Sequence, residues 1–330
     1  MRAVLVIVLI AAGLWGGYWF VGSRAVEQSV AGWFAAQSGT GLMAEQSGVE
    51  VTGFPNRFDL TVTAPRLTDE TTGIGWSAPF AQVFAMTWKP WHLIATLPQE
   101  QTFTLPGQDV VVTTTRMQGS AVMETGTDLT LDRTAVVADG LALNSTAGWQ
   151  VSATNARFAT RRAPDNATAH EIGMEVTTFT PDAAFRAALQ AQSDLPEQID
   201  RMRLDARVDL SAPINRHMGE TRPAFLALSV KDISLVWGKL LISGKGDVVP
   251  AADGRAEGRI DIRVENWREL VPVLVATGLI TPQVTQTVTR AMELLAQQDG
   301  TPEVLDVPLV FQHGRMSFGP IPLGPAPLLR

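Results

Sequence analysis

Hydrophobic and polar positions fall into three regimes along this chain. From Ala3 to Gly22 no residue is charged and nearly all are apolar. At about 1.5 Å per residue, a helix over that stretch reaches roughly 30 Å, the thickness of bilayer hydrocarbon. From Ser23 to Gln37 the large apolar residues are Val26, Val30, Trp33 and Phe34. They form one face of a 3.6-period helix that the Gly39-Thr40-Gly41 breaker ends. This second segment is expected to pack on the domain that follows.

From Val49 to Thr177 the period drops to two. In Phe58–Ala64, Phe58, Leu60, Val62 and Ala64 point one way and Asp59, Thr61 and Thr63 the other. Similar runs cover 81–87, 92–97, 101–105, 109–115, 118–123, 128–137, 148–156 and 172–177, mostly with Gly, Pro, Asp or Asn between them. The pattern predicts an antiparallel meander with one apolar and one wet face.

Thr180-Pro181-Asp182 predicts a helix start, with Thr180 as N-cap and Pro181 at the first helical position. The cleanest strand follows: Met202, Leu204, Ala206, Val208 and Leu210 alternate with Arg203, Asp205, Arg207 and Asp209. Lys231-Asp232 breaks the phase of the next strand as a bulge would. Gly244, Gly246 and Gly258 lie inside strand patterns, where glycine permits close backbone approach. Asn266 and Glu269 have capping-box spacing, Gly278 suits a C′ position, and Thr281-Pro282 opens a helix that stops at Gly300. His313-Gly314 reads as a hairpin turn, and the proline-rich tail after Gly319 as an extended edge.

These elements give an α+β chain of predominantly antiparallel sheet with several helices and a single N-terminal transmembrane helix. The expected organisation is an anchor at 1–22, a juxtamembrane helix and first β-rich half at 23–180, and a second β-rich half at 181–330. Helices in the second half are placed near 181–192, 267–277 and 282–298. For residues 3–22, the length of the apolar run and the aromatics Trp15, Tyr18, Trp19 and Phe20 at its far end favour a retained anchor over a cleaved signal. Arg2 and the terminal amine place the N-terminus inside and the bulk of the chain outside.

Composition narrows the function. Charged residues make up 18% of the 330 and apolar residues 45%, against about 25% charged on average, so a substantial core is expected. A net charge of −7 with scattered basic residues argues against nucleic-acid binding. The absence of cysteine removes disulfides, thiolate metal sites and a cysteine nucleophile together.

Catalytic chemistry is not visible. His92, His170, His217 and His313 are far apart in sequence and lack ligand spacing, so no metal or other cofactor is expected. No G-x-S-x-G occurs, and the glycine pairs at 39–41 and 244–246 lack a dinucleotide-binding context. Asp128 and Asp132 fall on one face of a predicted strand, where solvated acids are the rule. No catalytic residue is assigned, and a non-enzymatic role is expected. The unusual local feature is Trp88-Lys89-Pro90-Trp91, whose two rings suit an apolar ligand or a membrane interface. Tryptophan's average burial favours the core for both.

The apolar N-terminus, Val51-Thr-Gly-Phe-Pro-Asn-Arg-Phe58, Trp88-Lys-Pro-Trp91 and Leu323-Gly-Pro-Ala-Pro327 together resemble the bacterial domain-of-unknown-function family 2125 over nearly the whole chain. The resemblance implies an envelope protein anchored in the bacterial inner membrane, with its bulk in the periplasm, and implies no activity or site residue. More loosely, the layout is similar to AsmA-like and tubular lipid-binding architectures, in which curved sheets present an apolar face to acyl chains. The expectation is a single-pass envelope protein that binds a lipid or another apolar ligand. The alternative is a non-catalytic module that scaffolds envelope proteins.

Overall fold

In the computed structural model, which describes residues 1–37, 41–218, 222–298 and 301–329, the apolar run and the amphipathic segment form one helix, α1 (Arg2–Ala36). No proline falls within it, so nothing removes a donor from the i to i−4 ladder. α1 is long and apolar enough to cross a membrane. The expected breakers at Gly39 and Gly300 lie outside the described residues. The chain divides into two compact units, residues 1–125 with 134–148, and residues 126–133 with 149–330.

The first unit is a meander of long strands, five of them broken near the middle. The broken strands are β1 (Leu42–Glu45) with β2 (Gly48–Thr52), β3 (Arg57–Thr63) with β4 (Arg66–Asp69), and β5 (Ile74–Ser77) with β6 (Phe80–Met86). They continue as β7 (Lys89–Leu97) with β8 (Glu100–Leu105), and β9 (Gln108–Thr113) with β10 (Arg116–Met123), before β11 (Leu131–Ser145). All pairings are antiparallel. One tier runs β2-β3-β6-β7-β10, and the other β1-β4-β5-β8-β9-β11.

Proline explains three of the five breaks. Pro65, Pro79 and Pro98 lie at three of them, and none can donate to a ladder. Neighbouring strands bridge the gap instead, with Ala64 N–H donating to Pro79 O at 2.8 Å and Ala78 N–H to Pro65 O at 3.2 Å. Several intervals expected to be turns, such as that between Leu97 and Gln101, are therefore kinks inside strands that keep their direction. α1 packs along β1, β2 and β3. It also covers the edge of β2, where Val51 N–H donates to Glu27 Oε1 at 2.9 Å.

The second unit continues the logic with β12 (Gln150–Ala163), β13 (Asn166–Thr180), β14 (Ile199–Leu210), β15 (Phe225–Trp237), β16 (Leu240–Pro250), β17 (Ala256–Glu265), β18 (Val304–Gln312), β19 (Arg315–Phe318) and β20 (Ile321–Pro325). Each pairs antiparallel with the next. α2 (Ala183–Gln190) interrupts the series after β13, and α3 (Leu270–Ala276) and α4 (Thr285–Gln298) after β17. The helices cover one end of the apolar sheet face. Trp267, Met292 and Leu189 pack there on Trp237, Leu240, Val264 and Leu305. A second cluster, Val248, Ala256, Phe311 and Ala326, is closed by the C-terminal tail.

Several expectations are met locally. β15 shifts register between Val230 and Ile233, around the predicted bulge. Gly278, at φ 73°, follows α3, and His313 and Gly314, at φ 52° and 71°, turn β18 into β19. Others are corrected. Thr180 remains paired with Ser152 in the sheet, so Asp182 is the N-cap of α2 and accepts from Ala184 N–H at 2.8 Å. Asn266 is left-handed at φ 55° and caps nothing, its amide donating instead to Lys239 O at 2.7 Å. The division expected near residue 180 falls inside the second unit, where β13 and β14 pair and α2 is only an excursion between them. Trp33, expected on the packed face of its helix, is 45% exposed, whereas Val26 does pack on the sheet.

Candidate functional site

The alternation of β14 sends Leu204 to the apolar face of the second unit. Pairing then sets Phe158, Met174, Leu204 and Ile233 side by side across β12, β13, β14 and β15. The next row toward the helices, Met202 and Leu235, packs into the main core. The next row away from them contains Ala206 and Val230, both buried. Between these covered zones, Phe158 is 40% exposed and Met174 and Ile233 are each 41% exposed. Along β16 the row meets Gly244, which has no side chain to fill it and over which Ile262 leans. The result is an uncovered apolar strip, four strands wide, in the middle of a sheet.

The opposite face is polar and largely self-neutralised. Glu171 accepts from Lys231 Nζ at 2.7 Å and from Arg161 Nε at 2.6 Å. These bonds, Lys231's first, hold its carboxyl below the usual range. Asp165 is lowered likewise, chiefly by its hydrogen bond from Arg207. A cleft of about 490 Å³ is lined by Lys231, Lys245, Arg259, Asp261, Arg263 and Asp306, among others. Its charges pair within the protein, Arg259 with Asp261 at 2.6 Å and Arg263 with Asp306 at 2.8 Å. Such a surface offers little uncompensated charge to a ligand.

The histidines sit on separate elements: His92 in β7, His170 in β13, His217 beyond β14, and His313 in the β18–β19 turn. His170 is 2% exposed; its Nδ1 lies 3.1 Å from Thr160 Oγ1 and its Nε2 is buried without a partner. Burial, and then Arg162, push its pKa down, against a smaller opposing effect of Asp132. His217 Nε2 lies 3.8 Å from Asp128, an exposed pair. Asp128 does not share a strand face with Asp132 as expected, because β11 begins only at Leu131 and Leu129 is left-handed at φ 49°. Among the described residues, no group of three or more His, Asp and Glu side chains could hold a metal ion.

Trp88 and Trp91 part company. β6 and β7 pair as far as Met86 and Lys89, leaving Thr87 and Trp88 as the hairpin tip. Thr87 takes the inward place, donating from Oγ1 to Asn56 O at 3.2 Å and accepting from Tyr18 OH at 3.0 Å. Trp88 is thereby turned outward and is 55% exposed, which corrects the core placement expected for it. Trp91 is half-buried within β7, on the same strand face as Leu93 and Ala95.

Beside this hairpin, α1 is gripped by the sheet. Trp19 is 7% exposed and donates from Nε1 to Arg57 O at 2.6 Å. Its ring contacts Phe54 edge-on at 5.3 Å and stacks on Phe58 at 6.4 Å. Gly22 permits this approach, since a Cβ there would lie 2.7 Å from the Phe58 ring. Phe54 itself is 56% exposed, next to Trp19 and Phe20. Sequence patterning did not single out Phe54, Phe158, Met174 or Ile233 as surface features, although an aromatic residue in a Gly-Phe-Pro turn signals the first of them.

A bacterial family described as an uncharacterized conserved protein, DUF2125, matches residues 19–327. No curated protein matches the chain.

Proposed function

The chain belongs to the DUF2125 family, and from that premise we propose that it is a non-enzymatic, single-pass protein of the bacterial inner membrane. α1 is its anchor and its bulk lies in the periplasm, where it binds a lipid or another apolar ligand. The observation that carries the reading is the strip Phe158, Met174, Leu204 and Ile233, whose three longest exposed side chains stand uncovered between two packed zones. A strip of this kind is an acyl-chain-sized apolar surface on a rigid sheet. Its presence in one chain with a helix apolar enough to cross a membrane favours lipid as the ligand class.

Native mass spectrometry of the detergent-extracted chain tests this. A co-purifying lipid should be retained by the parent protein and lost when Phe158 and Met174 are both changed to Gln. Absence of any bound lipid, or equal retention by the double variant, would refute the assignment of the strip. The packing of α2, α3 and α4 over the neighbouring end of the face supports a second reading, because it fills the interior there rather than enclosing a tunnel. On that reading the strip docks an envelope protein, and the chain is a scaffold. In-cell crosslinking from position 158 would then return a partner protein in place of lipid.

A further inference from the structure

The grip of the first unit on α1 begins inside the apolar stretch, not beyond it. Residues 1–15 are all exposed and Gly16 is the first of α1 that is not, its Cβ position lying 3.6 Å from the Phe54 ring of the β2–β3 loop. Only Ala3 to Trp15 stand clear of the protein, a length of about 20 Å, whereas bilayer hydrocarbon is about 30 Å thick. Beyond Gly16 the helix still exposes apolar side chains, Phe20 by 55% although its ring touches Phe54, and Val21 by 71%, and the first charge is Arg24. If the hydrocarbon ended at Trp15, these side chains would stand in water. If it reaches Val21, the sheet loops at the same level of α1 must enter it.

Those loops are equipped to do so. The tip of β6–β7 presents Met86, 42% exposed, and Trp88, 55% exposed, and is bound to Tyr18 through Thr87 O. The β2–β3 loop presents Phe54, 56% exposed. Neither Gly53–Asn56 nor Met86–Lys89 contains a carboxylate. The acid just beyond, Asp59, is 11% exposed at its side chain and paired with Arg57 at 2.6 Å. Exposed aromatics without acids, flanked by Arg57 and Lys89, have the composition of an interfacial belt.

Accepting that α1 spans a membrane, we infer that these two loops form a collar seated in the bilayer interface. Phe54, Met86 and Trp88 contact lipid, and the first unit is held against the membrane as a rigid extension of its anchor. The surface recognises the boundary between headgroups and acyl chains.

The native chain has no cysteine, so single cysteines can carry an environment-sensitive fluorophore. Full-length chains with Trp88→Cys, Phe54→Cys, Leu9→Cys or Ile74→Cys are labelled and reconstituted in vesicles of phosphatidylethanolamine and phosphatidylglycerol containing nitroxide lipids. Labels at 88 and 54 are expected to be blue-shifted and to lose most of their emission to a nitroxide placed near the headgroup. The label at 9 should be quenched by one near the chain terminus, and that at 74, in the other tier, should report water. Quenching at 9 with water at 88 overturns the collar and leaves the anchor standing. Water at both 9 and 88 removes the anchor and the collar together. Quenching at 74 equal to that at 88 overturns the collar in favour of general adsorption. Because Trp88 is 55% exposed at a hairpin tip, its variant decides the matter even if Phe54→Cys disturbs packing.

Discussion

Replacing Trp19 with alanine should release α1 from the first unit while leaving the sheet intact. The side chain is 7% exposed, and a tryptophan buries about 200 Å². At about 25 cal/mol per Å² the transfer contribution is about 5 kcal/mol, an upper bound because the released site still finds lipid or detergent. The Nε1 bond to Arg57 O, 2.6 Å long, adds about 1 kcal/mol. Measured Trp-to-Ala losses in packed sites are about 3–5 kcal/mol. Even the lower end shifts a docking equilibrium by about two orders of magnitude.

Hydrogen exchange on peptides from 48–58 reads that shift, because the Val51 amide is held by Glu27 of α1 and not by a neighbouring strand. Its exchange should accelerate strongly in Trp19→Ala. In Trp19→Phe, which keeps a ring and loses only the donor, the effect should be about fivefold. Unchanged exchange at Val51 in the alanine variant, or equal loss of protection throughout β7 to β10, would refute the account of α1 as a docked helix.

Three further outcomes follow from the second unit. Gly258→Val should lower its urea midpoint by the equivalent of about 3 kcal/mol or more, since a Cβ there would overlap Asp247 O on β16 and φ is 143°. His170 has a depressed folded-state pKa, so the unfolded chain binds more protons as the pH falls below its ordinary value of about 6.5. Its contribution is therefore complete above that value and is lost on acidification toward the folded pKa; comparing urea midpoints of the parent and His170→Leu at about pH 7.5 and about pH 5.5 should show a shallower acid loss in the variant. Arg207→Met, which removes the pairs of Arg207 with Asp165 at 2.7 Å and with Asp209 at 3.2 Å, should lower the urea midpoint only slightly, and added salt should shrink the difference.

Much of this structure is visible in local patterning. The period-two runs become the strands, Thr281-Pro282 opens the turn leading into α4, and the His313-Gly314 step reverses β18. These features depend on a few adjacent residues: a side-chain period, a missing donor, a tolerated positive φ. Capping was less legible because it depends on where a preceding strand releases the chain. Thr180 has cap chemistry but is still paired with Ser152, so Asp182 caps instead.

By itself, the sequence determines that the chain has an apolar helix of membrane-spanning length, a β-rich body with alternating faces, and no thiol chemistry. Only the tertiary structure decides which parts of those faces are covered. Leu204 and Met202 both follow the apolar alternation of β14, yet one lies in an open strip and the other against a helix-covered core. Likewise Pro65 and Pro98 mark interruptions, but neighbouring strands decide that the chain goes straight on there. Periodicity is written along the backbone and sets a side chain's direction, whereas its cover comes from residues far away in sequence. α1 shows the same division. Its length is read from the sequence, but the level at which the sheet grips it depends on Trp19 meeting Phe54 and Phe58 across the fold.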